Sequence, residues 1–295
     1  MCFAEILARR DMPRFAVFLA GVSAVLIWSG GAVSQTGQSH NIPDFSGSWD
    51  RIGEHVEMFE EIPGFEGAGP MMADPNHPGG TVPGHRLPPV ASLDNPILRP
   101  ATLERLQAIT EAELRGMPHV KDEGMCQPSG VPMLWNRTHA DLQILQTPEQ
   151  VTILNARDHQ IRIIRLNVPH SKNPGHSWYG DSVGHYEGGD TLVIDTIGQN
   201  DKTQVDRYGT PHSEKIHVIE RLTVSPDRRF LDVEFTVSDP VAFTVPWSGL
   251  ARHTARSILW EEEICAENNR FVGKVTVDGV ITDEIPTPVD FTPDF

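Results

Sequence analysis

The chain has 295 residues, 24 basic against 40 acidic, for a formal net charge of −16. A balance of that sign and size is repelled by nucleic-acid phosphates and by anionic membrane surfaces, and no basic cluster offsets it. Nucleic acid is therefore excluded as a partner.

The amino terminus reads as a targeting segment. Arg9, Arg10 and Arg14 precede a mostly apolar run from Phe15 to Trp28, and Ala32-Val33-Ser34 supplies a small-x-small site before Gln35. This is the pattern of a secretory signal peptide over residues 1–34. The apolar run is shorter than the roughly 20 residues that a bilayer-spanning helix needs. The expectation is a periplasmic or secreted protein without stable membrane insertion. Of three cysteines, Cys2 leaves with the leader. Cys126 and Cys265 remain, an even number in an oxidising compartment, so a disulfide between them is the default.

Residues 35–118 form the next segment. HNIPDFSGSWDR (40–51) reads as a lead-in turn and a first strand. From Pro63 to Pro100 there are nine prolines and six glycines, which rules out sheet interior because proline lacks a ladder donor and glycine weakens strands. The stretch is too long for an ordinary loop, and Met71, Met72 and Leu87 give it apolar anchors, so an ordered arm is expected. One helix is predicted from Thr102 to about Gly116. Thr102 is its cap, Glu104 lies in its first turn, and Gly116 with Pro118 stops it.

From residue 119 to the end the apolar period is two. Predicted strands lie at 141–147, 150–156, 160–166, 180–196 (a hairpin), 214–224, 230–237, 255–265 and 274–282, the last holding an Asp278-Gly279 turn. Strands at this spacing without alternating helices indicate an antiparallel all-β fold, a calycin-like barrel or sandwich, with residues 119–295 as a barrel domain that forms one globular unit with the arm.

Two resemblances bear on this. Gly47-Ser48-Trp49 is the Gly-x-Trp of lipocalin-like barrels, where the Trp plugs the closed end. More extensively, Cys126-Gln-Pro-Ser-Gly-Val-Pro, GDSVGHYEGGDTLVIDT (180–196), HSEKIHVIERL (212–222), DPVAFTVPW (239–247) and EEEICAENN (261–269) together resemble a family of exported bacterial β-rich proteins of undefined activity. That family's hairpin reads G-D-S-V-G-x-W-E-G-D-T-L-V-V-D-T. This chain departs from it by one extra Gly (188 or 189), by Tyr186 in place of Trp, and by Ala266 where the family has His. The resemblance implies export, a β-rich fold and pairing of the two cysteines; it supplies no reaction.

Candidate chemistry centres on carboxylates and histidines. With Gly188-Gly189 as a two-residue loop, Glu187 faces Asp190, and Asp181 and Asp195 point to opposite sides of the hairpin. Asp181 then shares the greasier face with His185, where desolvation would raise its pKa and suit it to proton transfer, while Asp195 hydrogen-bonds Ser182. In residues 211–221, alternation places His212, Glu214 and Glu220 on one face and His217 on the other. His212 with Glu214 reads as a general acid/base and its orienting carboxylate; the competing reading is a salt network of Glu220 and Arg221 with Arg162 or Arg165. His170, His176 and His185 invite a metal reading, but their spacing matches no closed zinc pattern and HExxH is absent. No cofactor motif is present. Trp49, Trp135, Trp178, Trp247 and Trp260 are spread through the strand region, and inward tryptophans would suit a planar ligand. The expected function is a cofactor-independent lyase, isomerase or hydrolase for a small, mostly apolar molecule, using Asp181, His185, His212, Glu214, His217 and Glu220. The alternatives are a non-catalytic lipocalin-type protein binding a small apolar or aromatic ligand, and a His-ligated metalloenzyme.

Overall fold

The computed structural model describes residues 42–52, 58–82, 85–87, 89–115, 126–136, 142–257, 263–265, 275–277 and 280–282. Residues 1–41, Trp260 and residues 283–295 are among those that lie outside them. Nine strands close a barrel: β1 (Gly47–Ile52), β4 (Leu142–Gln146), β5 (Gln150–Asn155), β6 (Gln160–Leu166), β7 (Asp181–Glu187), β8 (Thr191–Ile197), β9 (His217–Val224), β10 (Phe230–Ser238) and β11 (Trp247–Arg256). Around the ring the order is β1, β11, β10, β9, β8, β7, β6, β5, β4 and back to β1. The expected all-β, calycin-like barrel is what forms. Two short hairpins stand apart from it, β2 (Gly80–Val82) with β3 (His85–Leu87), and β12 (Val275–Val277) with β13 (Val280–Thr282). The second flanks Asp278-Gly279, which itself lies outside the described residues.

An odd ring cannot alternate strand direction all the way round, so nine strands require a parallel junction. It falls between β6 and β7, where only Ile164–Leu166 pair with Ser182–Gly184; the other junctions are antiparallel. A parallel neighbour cannot be reached by a tight turn and needs a return path of a dozen or more residues. Residues 167–180 are that path, and they carry much of the site described below.

Period-two alternation sends one set of side chains into the lumen. Ile144, Ile153, Ile164, Ile194, Leu222, Val233 and Phe235 are buried there. Trp49 joins them, its indole N–H donating to the Phe45 carbonyl at 3.0 Å. A one-turn 3₁₀ helix, Met133–Asn136, adds four buried side chains, with Trp135 fully enclosed. The proline-rich arm is ordered over its described residues and packs along β11 and the turn before it, through bridges Glu60–Leu250, Ala68–Trp247 and Leu98–Phe243. Met71 is buried within it, whereas Met72 is exposed.

Two elements differ from expectation. The helix, α1, spans Pro100–Leu114 with Pro100 in its first turn and no side-chain cap. Proline suits that position, since the first N–H groups of a helix lack partners anyway. Thr102 is buried inside the helix rather than capping it, and Glu104 falls beyond the first turn. β11 spans Trp247–Arg256, so it begins well before the strand expected at 255–265 and shares only Ala255 and Arg256 with it; residues 258–262 of that expected strand lie outside the described residues. Its inward positions Gly249, Ala251 and His253 are not large and apolar, so the alternation that marks the other strands is missing. At Gly249 the reason is steric, because a Cβ there would come within 2.7 Å of the Phe235 ring.

Candidate functional site

The parallel junction opens toward its N-terminal end. β7 begins at Asp181, so Gln160–Ile163 of β6 face not a strand but the last residues of the return path. Between them lies a cleft of about 400 Å³, walled by Gln160–Ile163 on one side and Ser177–Gly180 on the other, with Pro128 beside them. The Tyr179 hydroxyl donates to Gln160 Oε1 across it. Ile161 and Ile163 point outward and are 56% and 51% exposed, an unusual placement for β-branched apolar residues on a solvated wall. Trp178 completes the lining, with the Lys202 ammonium 5.8 Å from its ring centre. The return path is pinned from the far side, where Ser177 N–H donates to the Gly198 carbonyl and Asn200 N–H to the Ser177 carbonyl. Gly180, at φ +65°, lets the chain turn into β7.

A second hollow of about 350 Å³ shares Ser177 and Gly180 with the first and is lined further by Ser171, His176 and Asp181. Here the hairpin corrects the expected geometry. The ladder pairs Glu187 with Thr191, Val183 with Asp195 and Asp181 with Ile197. The loop therefore holds three residues, with Gly188 and Gly189 both at positive φ, and the register is one residue off the two-residue reading. A slip of one flips every side chain, so Asp181 and Asp195 share the outer face. His170 joins them, with Nδ1 3.3 Å from Asp181 Oδ2 and Nε2 3.1 Å from Asp195 Oδ1. His217 Nε2 lies 2.7 Å from the same Asp195 oxygen. Arg165 and the Ser171 N–H donate to Asp181 at 2.6 and 2.7 Å. Burial works to raise the Asp181 pKa, but the Ser171 amide, Arg165 and His170 outweigh it and hold the carboxyl below its ordinary value, opposite to expectation. Asp195 does not reach Ser182, which bonds Thr196 and Arg162 instead.

The lumen holds a separate polar group. Glu220 points inward and is fully buried against the Arg162 guanidinium, with contacts of 2.8 and 2.5 Å. Arg162 also donates to Ser182 and Thr196, and the Trp135 indole N–H donates to Glu220 Oε1 at 2.5 Å. The expected salt network is thus split. Glu220 and Arg162 pair inside, while Arg221 meets Glu187 outside at 2.9 Å and Arg165 takes Asp181. His253 sits beside Trp135, its Nε2 3.1 Å from the Trp135 carbonyl. Burial, reinforced by the nearby Arg51 charge, pushes its pKa down to about 3, so it is a neutral core histidine.

The remaining candidates scatter. His212 and Glu214 are not a pair, because Ser213–Ile216 form a turn and strand alternation begins only at His217. His212 is buried, with Nε2 2.7 Å from Thr203 Oγ1 and Nδ1 3.0 Å from the Ser213 carbonyl; burial lowers its pKa. Glu214 is exposed and lies 3.7 Å from His176. His185 is exposed and pairs with Glu187 at 2.8 Å. His170, His176 and His185 therefore have three different neighbourhoods, and among the described residues no three His, Cys, Asp or Glu side chains are disposed to hold a metal ion. Cys126 and Cys265 are bonded, with Cα atoms 5.5 Å apart. No described helix is long and apolar enough to cross a membrane.

Gln160, Ile161, Ile163 and Tyr179 were not singled out from sequence, although the outward isoleucines follow from the alternation of QIRIIRL once Arg162 is recognised as inward. Of the described tryptophans in the strand region, Trp49, Trp135 and Trp247 are core, and Trp178 lines the cleft. No protein-family model matches the chain, and no curated protein matches it.

Proposed function

We propose that this is an exported binding protein for a small apolar or aromatic ligand, with the cleft at the β6–β7 junction as its site. One observation carries the reading: a cleft of ligand size, about 400 Å³, is lined by the outward Ile161 and Ile163 and by Trp178. Ligand sites are typically concave, largely apolar and bounded by a few polar groups, and Gln160 and Tyr179 serve as those groups. Export is supported by the basic and apolar leader together with the disulfide. The acid–base constellation read from the sequence is weakened by its dispersal, with Glu220 in the lumen, His212 beside Thr203, and His217 on the outer wall.

The test is titration with neutral N-phenyl-1-naphthylamine. Saturable binding at one site is expected, with loss of at least tenfold in affinity for Trp178→Ala and for Ile161→Ser. Unchanged affinity in both variants would overturn the reading.

A second reading, acid–base catalysis, is favoured by the run Asp181–His170–Asp195–His217 beside the adjoining hollow. It requires turnover of a carbonyl or ester substrate that His170→Asn abolishes while probe binding persists.

A further inference from the structure

β6 is paired along its whole length on one side and only at its end on the other. Toward β5 the ladder runs from Gln160 through Arg165, and toward β7 it is confined to Ile164–Leu166. Two hydrogen bonds show which main-chain groups address which neighbour. Leu166 N–H donates to the Glu149 carbonyl just before β5, and Asn167 N–H donates to the Gly184 carbonyl of β7, each at 2.8 Å. In an extended strand the N–H and C=O of alternate residues point the same way. Even-numbered residues of β6 therefore bond β5, and odd-numbered ones face β7. At the level of the cleft β7 has not yet begun, so the N–H and C=O of Ile161 and the N–H of Ile163 face open space. Among the described residues no hydrogen bond reaches the Ile161 main chain.

A ligand without hydrogen-bonding groups would strip water from these main-chain groups and return nothing, which is unfavourable. A peptide backbone offers acceptor and donor at the repeat of a strand, about 3.3 Å per residue. Resting on the reading of the cleft as a binding site, we propose that its ligand is a short extended peptide that adds as a strand to the free edge of β6. Its apolar side chain lies against Ile161, Ile163 and Trp178. The net charge of −16 and the adjacent Asp181 select neutral or basic peptides over acidic ones.

The experiment uses the full chain with its disulfide intact. Capped tripeptides acetyl-Val-Xaa-Val-amide, with Xaa Phe, Leu or Lys, compete against N-phenyl-1-naphthylamine, and Trp178 emission is read as the difference from Trp178→Phe. At least one peptide should displace the probe. Scanning N-methylation along that peptide should weaken binding about tenfold or more at the amides that face β6 and little at those that face away. Ile163→Pro, which removes a donor on the cleft side and none toward β5, should weaken the peptide more than the probe. If the probe binds but no peptide displaces it, or N-methylation is tolerated at every position, the peptide inference falls and the cleft remains a binding site. If neither binds, the cleft reading itself falls.

Discussion

Arg162 reaches from β6 to Ser182 on β7, Thr196 on β8 and Glu220 on β9. It stitches from inside the junction that has few backbone bonds on the outside. A buried ion pair is costly to break from one side, because the survivor keeps its charge without a partner. Arg162→Met should therefore lower unfolding free energy by about 3–5 kcal/mol. Adding Glu220→Leu should restore most of that loss. Urea unfolding of the two single variants and the double variant checks this, and additive losses would refute the coupling. The pairing of Glu220 with Arg162 was one of two options that the sequence offered, Arg165 being the other. Alternation in QIRIIRL puts Arg162 and Arg165 on opposite faces, but it says neither which face is inward nor which strand lies across the lumen. The same limit hid His170, whose role depends on a loop folding back over Asp181 and Asp195.

Most strands were legible because a half-buried strand must alternate, and β4, β5, β6 and β10 lie within a residue or two of expectation. β11 was not. Beyond Trp247 its inward residues are small or polar because the Phe235 ring and the Trp135 turn already fill that part of the lumen, so its pattern reflects neighbours distant in sequence. The hairpin register failed for a narrower reason, since Gly188-Gly189 is compatible with a two- or a three-residue loop and one residue decides the face of both aspartates. Gly180 shows how tightly this region is built: a Cβ there would sit 2.4 Å from the Ile197 carbonyl, at φ +65°. Gly180→Ala should cost at least about 2 kcal/mol from left-handed strain and crowding together. It should also weaken probe binding, because Gly180 borders both hollows. Chemical denaturation and probe titration measure the two effects, and a variant as stable as the parent would contradict this packing.

At the scale of the whole molecule, Cys126 and Cys265 join positions 139 residues apart. The bond secures the stretch leading to the Trp135 turn, which is not itself part of the barrel wall. Closing a loop of that length stabilises by roughly 5 kcal/mol in the chain-entropy picture, so reduction, or Cys126→Ser with Cys265→Ser, should lower the melting temperature by several degrees. Equal melting curves with and without reductant would deny the bond that role. The all-β class and the presence of barrel-forming strands were legible from period-two patterning, but the strand count was not, and the count has consequences. Parity gives this barrel one distinguished direction around its circumference, and no point substitution can erase it. A descendant that gained or lost one wall strand could alternate without interruption. It would have no need of a return path, and the two hollows, the free edge of β6 and the histidine–aspartate run would vanish together. The location of the candidate site is thus a property of the ring's arithmetic before it is a property of any residue placed there.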